Sequence, residues 1–270
     1  MSETTSAQTG TAALDAMFAG AKAARRAAFL PYYPIGFPNY EQSIDSIVAM
    51  AEAGVDGFEI GMPFSDPLAD GPVIQAATQR ALENGTTVRV CLQAVRELRS
   101  RGVHQPLLMM GYINPLLAYG IDAFVRDAKA AGADGLIVPD LPPEEGALFA
   151  ESCAREGLAM VFFLAPTSSP DRIDLVARQA TGFIYMVSLT GITGARSELP
   201  PDLTTFVSRV RARAPEQRLV LGFGISKPEQ ARQMNGLVDG FIVGSALVRA
   251  GGEGVDAVRT LVTALRGALD

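Results

Sequence analysis

Short apolar runs and amphipathic stretches alternate eight times along this chain. The apolar runs are Ala27–Tyr33, Gly57–Gly61, Pro106–Tyr112, Gly135–Pro139, Ala159–Ala165, Phe183–Ser188, Arg218–Gly222 and Gly240–Val243. Helical periodicity follows near Tyr40–Ala53, Val88–Arg101, Ile121–Ala131, Glu144–Glu156, Pro170–Gln179, Leu203–Ala214, Pro228–Asn235 and Gly254–Leu269. Helices placed between successive strands imply a parallel sheet. Eight such units in about 240 residues match a closed (β/α)8 barrel, a TIM barrel; a doubly wound open sheet is the alternative. An extra N-terminal helix near Ala12–Ala23 is expected to plug the barrel bottom. Several helical patterns end at glycine (Gly54, Gly102, Gly132, Gly157), which suits a left-handed cap and a short return loop. No linker divides the pattern. The expectation is a disordered tail over residues 1–10 and a single α/β barrel domain over residues 11–270.

Composition narrows the function. Hydrophobic residues make up 48% and charged residues 19%, enough for a large core and too apolar for wholesale disorder. The net charge of −6, with no basic block, argues against nucleic acid as a partner. The longest apolar run, Gly157–Pro166, is too short to span a bilayer. Met1–Gly10 lacks the apolar segment of a secretory signal. Cys91 and Cys153 lie in separate helical patterns without metal spacing and read as reduced core thiols of a cytoplasmic protein. The three lysines (Lys22, Lys129, Lys227) fall in or at helices, which disfavours a Schiff-base mechanism. The one histidine, His104, precedes the third strand, so no histidine triad can be built. No acid cluster has ligand-like spacing, and no metal or cofactor is expected. What remains is acid–base chemistry by carboxylates, with Tyr185 the tyrosine to consider beside them.

Those carboxylates stand in Phe58-Glu-Ile-Gly-Met-Pro-Phe-Ser-Asp-Pro-Leu-Ala-Asp-Gly-Pro72. Glu59 interrupts a buried strand, where a carboxylate is expensive unless it has a partner or a task. Alternation puts Phe58 and Ile60 on one face and Glu59 on the other. Asp66 and Asp70 follow in a Pro- and Gly-punctuated loop, and Asp70 can fold back over Glu59. Glycines mark three strand ends: Gly191-Ile-Thr-Gly194, Gly222-Phe-Gly-Ile-Ser226 and Val243-Gly-Ser245. With a short helix at Ala246–Ala250 they suit a phosphate site, where backbone N–H groups meet an anion. Tyr185 reads from the residues alone as a core aromatic.

The long acidic motif resembles the signature of the tryptophan synthase alpha subunit, an indole-3-glycerol-phosphate lyase. The likeness extends from about Phe29 to Ala264 through Gly111-Tyr-Ile-Asn-Pro115, Val138-Pro-Asp-Leu-Pro142, Thr190-Gly-Ile-Thr-Gly-Ala195, Gly222-Phe-Gly-Ile-Ser226 and Val243-Gly-Ser-Ala246. The resemblance implies that Glu59 and Asp70 are the catalytic pair and that Tyr185 lies near the glycerol chain. It implies phosphate binding at Gly194, Gly224, Gly244 and Ser245, and a lid over Leu189–Pro200 that carries Thr193. It assigns Asp66, Asn114 and Asp140 to the mouth and a subunit interface. Two departures touch the indole pocket and lid: Tyr32 and Pro34 stand where familiar members carry Phe and Thr, and Leu189 replaces a common arginine.

The implied reaction is retro-aldol cleavage to indole and glyceraldehyde 3-phosphate in tryptophan biosynthesis. The implied partner is a pyridoxal-phosphate beta subunit in an α2β2 assembly, which would consume the indole. A phosphosugar isomerase, a barrel that only activates a beta subunit, and a stand-alone indole producer are the alternatives.

Overall fold

The structure, a computed structural model, describes residues 10–187, 202–222 and 224–270. All of the expected tail but Gly10, which is buried at the start of the first helix, and the expected lid, with Thr193 and Gly194, lie outside the described residues. Eight strands close into a barrel in sequence order, every neighbouring pair parallel. They are β1 (Ala28–Pro34), β2 (Phe58–Gly61), β3 (Leu107–Met110), β4 (Gly135–Ile137), β5 (Ala159–Leu164), β6 (Ile184–Val187), β7 (Leu219–Gly222) and β8 (Gly240–Val243). Around them run α1 (Thr11–Ala23), α2 (Tyr40–Glu52), α3 (Pro72–Glu83), α4 (Val88–Ser100), α5 (Ile113–Tyr119) and α6 (Ile121–Ala131). The layer continues with α7 (Ala147–Glu156), α8 (Pro170–Gln179), α9 (Leu203–Arg213), α10 (Pro228–Arg232), α11 (Ser245–Glu253) and α12 (Val255–Gly267). The open-sheet alternative is thereby excluded.

Both faces of each strand are covered, so its residues are apolar almost without interruption. β1, β2, β3, β4 and β8 are buried throughout. On the outer face of the barrel wall, under the helices, Phe29 stacks on Phe241 at 5.0 Å between centroids. Helix α1 closes the bottom, with Phe18 edge-on to Phe183 at 6.1 Å. Asp134, just before β4, fastens this closure. Its carboxylate accepts from Gly10 N at 2.7 Å, Leu107 N at 2.9 Å and Arg99 Nη2 at 2.5 Å. Arg26 and Asp56 form a two-pronged pair at 2.6 and 2.7 Å, and Asp56 also accepts from Phe29 N, joining β1 to the entry of β2. Helices α6 and α7 end on Gly132 and Gly157 in the left-handed conformation, as expected.

Three helical segments depart from the sequence reading. α3 begins directly after the acidic loop, with Gly71 at its N-cap and Pro72 opening it. α5 contains Pro115 near its start, where proline is tolerated. α11 is longer than Ala246–Ala250, running from Ser245 to Glu253. Among the described residues no helix is long and apolar enough to cross a membrane, and no group of three or more His, Cys, Asp or Glu could hold a metal ion.

Candidate active site

The C-terminal strand ends converge on one cavity lined by Glu59, Asp70, Tyr185, Gly224, Gly244 and Ser245, together with Tyr32, Ile74, Met110, Gly222 and Ile242. Alternation along β2 turns Glu59 inward. It is 2% exposed, and the Tyr185 hydroxyl stands 3.4 Å from its Oε2. Burial pushes the Glu59 carboxyl up to about 8; the charge of Asp70 pushes the same way, and the Tyr185 hydroxyl opposes them. A carboxyl with that value is a proton donor at neutral pH.

Asp70 comes from the β2–α3 loop. Its Oδ2 accepts from the Tyr112 hydroxyl at 3.0 Å, and the same hydroxyl accepts from Ala69 N at 3.0 Å. Burial raises the Asp70 carboxyl to about 6, with Tyr112 pulling it down. Near pH 7 the two acids therefore favour opposite states, Glu59 protonated and Asp70 ionised, which is the division of labour acid–base catalysis requires.

Tyr185 projects from β6 beside Glu59. Its ring stacks on Phe163 at 4.8 Å. Its other side lies so close to β7 that a Cβ on Gly222 would sit 2.5 Å from Tyr185 Cε1. Burial and both carboxylates keep the phenol protonated.

The anion end of the cavity is built by backbone. Gly244 is the N-cap of α11 and brings no side-chain cap to its amides, so the first turn presents open N–H groups beside Ser245. Gly224, beyond β7, lines the same space. Gly194 and Thr193 lie outside the described residues.

The three residues assigned to the mouth and interface do not enter this cavity. Asp66, Asn114 and Asp140 are exposed and share an adjoining outer groove with Phe64, Leu68 and Tyr112. Asp140 Oδ1 accepts from Ile113 N at 2.9 Å, and Ser65 Oγ donates to Asp66 at 2.5 Å. Leu68, at 93% exposure, stands at the rim.

Tyr112 is the residue that the sequence reading quoted in a motif without giving it a role. A tyrosine after an apolar strand reads as core; only the fold places its hydroxyl between the Ala69 amide and Asp70. Tyr32 was noted for pocket shape, and the fold makes it the register partner of Glu59.

Comparison with known proteins places the chain in one family. The family model described as tryptophan synthase alpha chain matches residues 18–267. The chain is 48% identical over 231 residues to the tryptophan synthase alpha chain of Chloroflexus aggregans, covering 86% of each. It is 47% identical over 255 residues to that of a Roseiflexus species, covering 93% of this chain and 97% of the relative. Its fold superposes on a chain of Mycobacterium tuberculosis tryptophan synthase with a TM-score of 0.90 at 38% identity, covering 97% of this chain and 99% of that one. On sequence and fold, the chain belongs to the tryptophan synthase alpha chain family.

Proposed function

We propose that this chain cleaves indole-3-glycerol phosphate to indole and glyceraldehyde 3-phosphate by a retro-aldol reaction. One observation carries the reading: a buried and a half-buried carboxylate in a single cavity, Glu59 raised to about 8 and Asp70 to about 6, at the end of the barrel where the amides of α11 can receive a phosphate.

In this reading Glu59 donates its proton to carbon 3 of the indole ring. The ring then accepts the electron pair of the bond to the side chain. Ionised Asp70 accepts a hydrogen bond from the indole N–H and offsets the positive charge that develops on the ring. The Glu59 carboxylate left by the first step takes the proton of the neighbouring side-chain hydroxyl. The carbon–carbon bond breaks as that oxygen becomes the aldehyde of the product, and Glu59 is protonated again. Tyr185 holds the Glu59 carboxyl and lies beside the glycerol chain. Gly224, Gly244 and Ser245, joined by Gly194 of the lid that also carries Thr193, fix the phosphate and so the distance from ring to acid. No metal or cofactor is needed, since every proton has a carrier.

Indole released to water would be lost, and the partner that fits the family is a beta subunit, in an α2β2 assembly of the cytoplasm. The exposed Leu68 rim with Asp66, Asn114 and Asp140 supports a docking face next to the loop that carries Asp70. The test is to follow indole and glyceraldehyde 3-phosphate together from purified chain, alone and with a beta subunit. Equimolar formation of both is expected; substrate left unchanged in both conditions would end the reading.

A further inference from the structure

The opposite end of the barrel carries a cavity that cleavage does not use. It lies between the C-terminus of α1 and the entries of β7 and β8, and its volume is about 740 Å³, within the range of small-molecule sites. Five cationic side chains line it, Lys22, Arg25, Arg26, Arg211 and Arg218, against two acids, Glu216 and Asp239. The chain as a whole carries a net charge of −6. This face of a barrel normally serves stability, and part of the cluster does so. Arg211 donates to Asp239 at 2.7 Å and to the Gln217 carbonyl at 2.9 Å. Arg26 is held by Asp56.

The remaining charge exceeds that task. Among the described residues the exposed side chains of Lys22 and Arg25 form no ion pair. Arg218 meets Asp15 only at 3.4 Å, both side chains being well exposed, a contact that stabilises little. Its guanidinium lies over Phe18, 5.8 Å from the ring centre. Arg26 is not saturated by its ion pair, since its buried Nε has no acceptor among the described residues.

The backbone at Arg25 adds a second kind of observation. Its φ is 57°, in the left-handed region. Arg25 N donates to the Lys22 carbonyl and Arg26 N to the Ala21 carbonyl, the paired pattern that closes a helix. α3, α4, α6 and α7 end in the same pattern, and there the left-handed residue is Gly85, Gly102, Gly132 or Gly157. In α1 it is an arginine, whose Cβ makes the conformation costly. The side chain is exposed, so burial does not repay that cost.

We propose that this cavity binds a small multi-anionic ligand of the diphosphate type, held by Lys22, Arg25 and Arg218 and separate from the substrate phosphate at α11. Cations from α1 on one side and from the entry of β7 on the other suit a ligand with more than one charge. The guanidinium fork matches phosphate oxygens. The negative charge of the whole chain opposes a long polyanion and favours a ligand that fits within the cavity. The site does not depend on the cleavage reading.

The test is calorimetric titration of inorganic pyrophosphate into the full chain at low salt, beside Arg25→Gly, Lys22→Ala and Ser245→Asp. Arg25→Gly removes the charge and gives the turn the residue its backbone prefers. Its Tm without ligand should equal or exceed that of wild type, so weaker binding cannot come from unfolding. Pyrophosphate should bind wild type, and its Kd should rise at least about tenfold in Arg25→Gly and in Lys22→Ala, the loss expected for one charge-assisted hydrogen bond. Ser245→Asp alters only the catalytic anion end and should keep this binding. Absence of binding to wild type, unchanged Kd in both Arg25→Gly and Lys22→Ala, or loss of binding in Ser245→Asp would overturn the proposal. Indole release is read separately, so a wild-type protein that binds pyrophosphate here but releases no indole would end the cleavage reading and leave this site standing.

Discussion

The Tyr112 hydroxyl donates to Asp70 Oδ2 at 3.0 Å while accepting from the Ala69 amide one residue before it. The loop therefore holds its own acid in place through a side chain from the end of β3. A hydrogen bond to a carboxylate favours the ionised form, so Tyr112 lowers the Asp70 value against the burial that raises it to about 6. In Tyr112→Phe that opposing pull is gone, and the Asp70 value rises. The acid limb of kcat/KM against pH should move to higher pH, with a larger loss at pH 6 than at pH 8. An acid limb that stays where it is in wild type would show that Asp70 does not control it.

Gly222→Ala tests the orientation of Tyr185. The new methyl would meet the Tyr185 ring at 2.5 Å, too close for both to keep their places. The ring must move from Glu59, and kcat should fall about tenfold or more, with phosphate affinity little changed. Wild-type kcat in a folded Gly222→Ala protein, measured by indole release, would remove Tyr185 from the alignment of Glu59.

Ser245→Asp tests the anion end. A carboxylate in the first turn of α11 suits the helix dipole, so the fold should be kept. It would repel a phosphate at the same amides. KM should rise about tenfold or more, kcat should change little, and inorganic phosphate should cease to compete with substrate. Unchanged KM and unchanged inhibition by phosphate would place the anion elsewhere.

Much of this was legible in the chain because the barrel writes itself locally. Parallel strands covered on both faces appear as compact apolar runs, and Glu59 stands out as the acid in such a run. The helices that escaped notice have weak periodicity for physical reasons. The inward face of α3 is made of Ile74, Ala77, Thr78 and Ala81, mostly small residues among Gln75, Gln79 and Arg80, so its contrast is low. Asn114-Pro115 reads as a turn, yet opens α5. Tyr112 escaped for another reason. It lies between β3 and α5, far in sequence from Glu59 and Asp70, and strand closure alone brings it to them. Asp70 was legible as an acid in the right loop; its partner was not.

Glu59 should also make stability depend on pH. Its folded value, about 8, lies above its ordinary value of 4.5, so the folded state holds the proton more tightly. That contribution is fully present below about pH 4.5 and is lost as pH rises through about 8. Its size is several kcal/mol at roughly 1.4 kcal/mol per pH unit. Glu59→Gln carries no such charge, so its Tm should exceed that of wild type by a margin that grows from pH 6 to pH 9. A constant Tm difference over that range would mean that the Glu59 carboxyl is not raised by burial.

The account turns on Glu59 as the proton carrier, and its most direct test is the rate of indole release from indole-3-glycerol phosphate by Glu59→Gln beside wild type at pH 7. The amide keeps size and most polarity and removes the proton that the ring must receive. Wild-type protein should release indole, and the variant should be slower by at least about 10² to 10⁴, the usual range for general acid–base groups, while still binding phosphate. Turnover of Glu59→Gln at a rate near that of wild type would contradict the account.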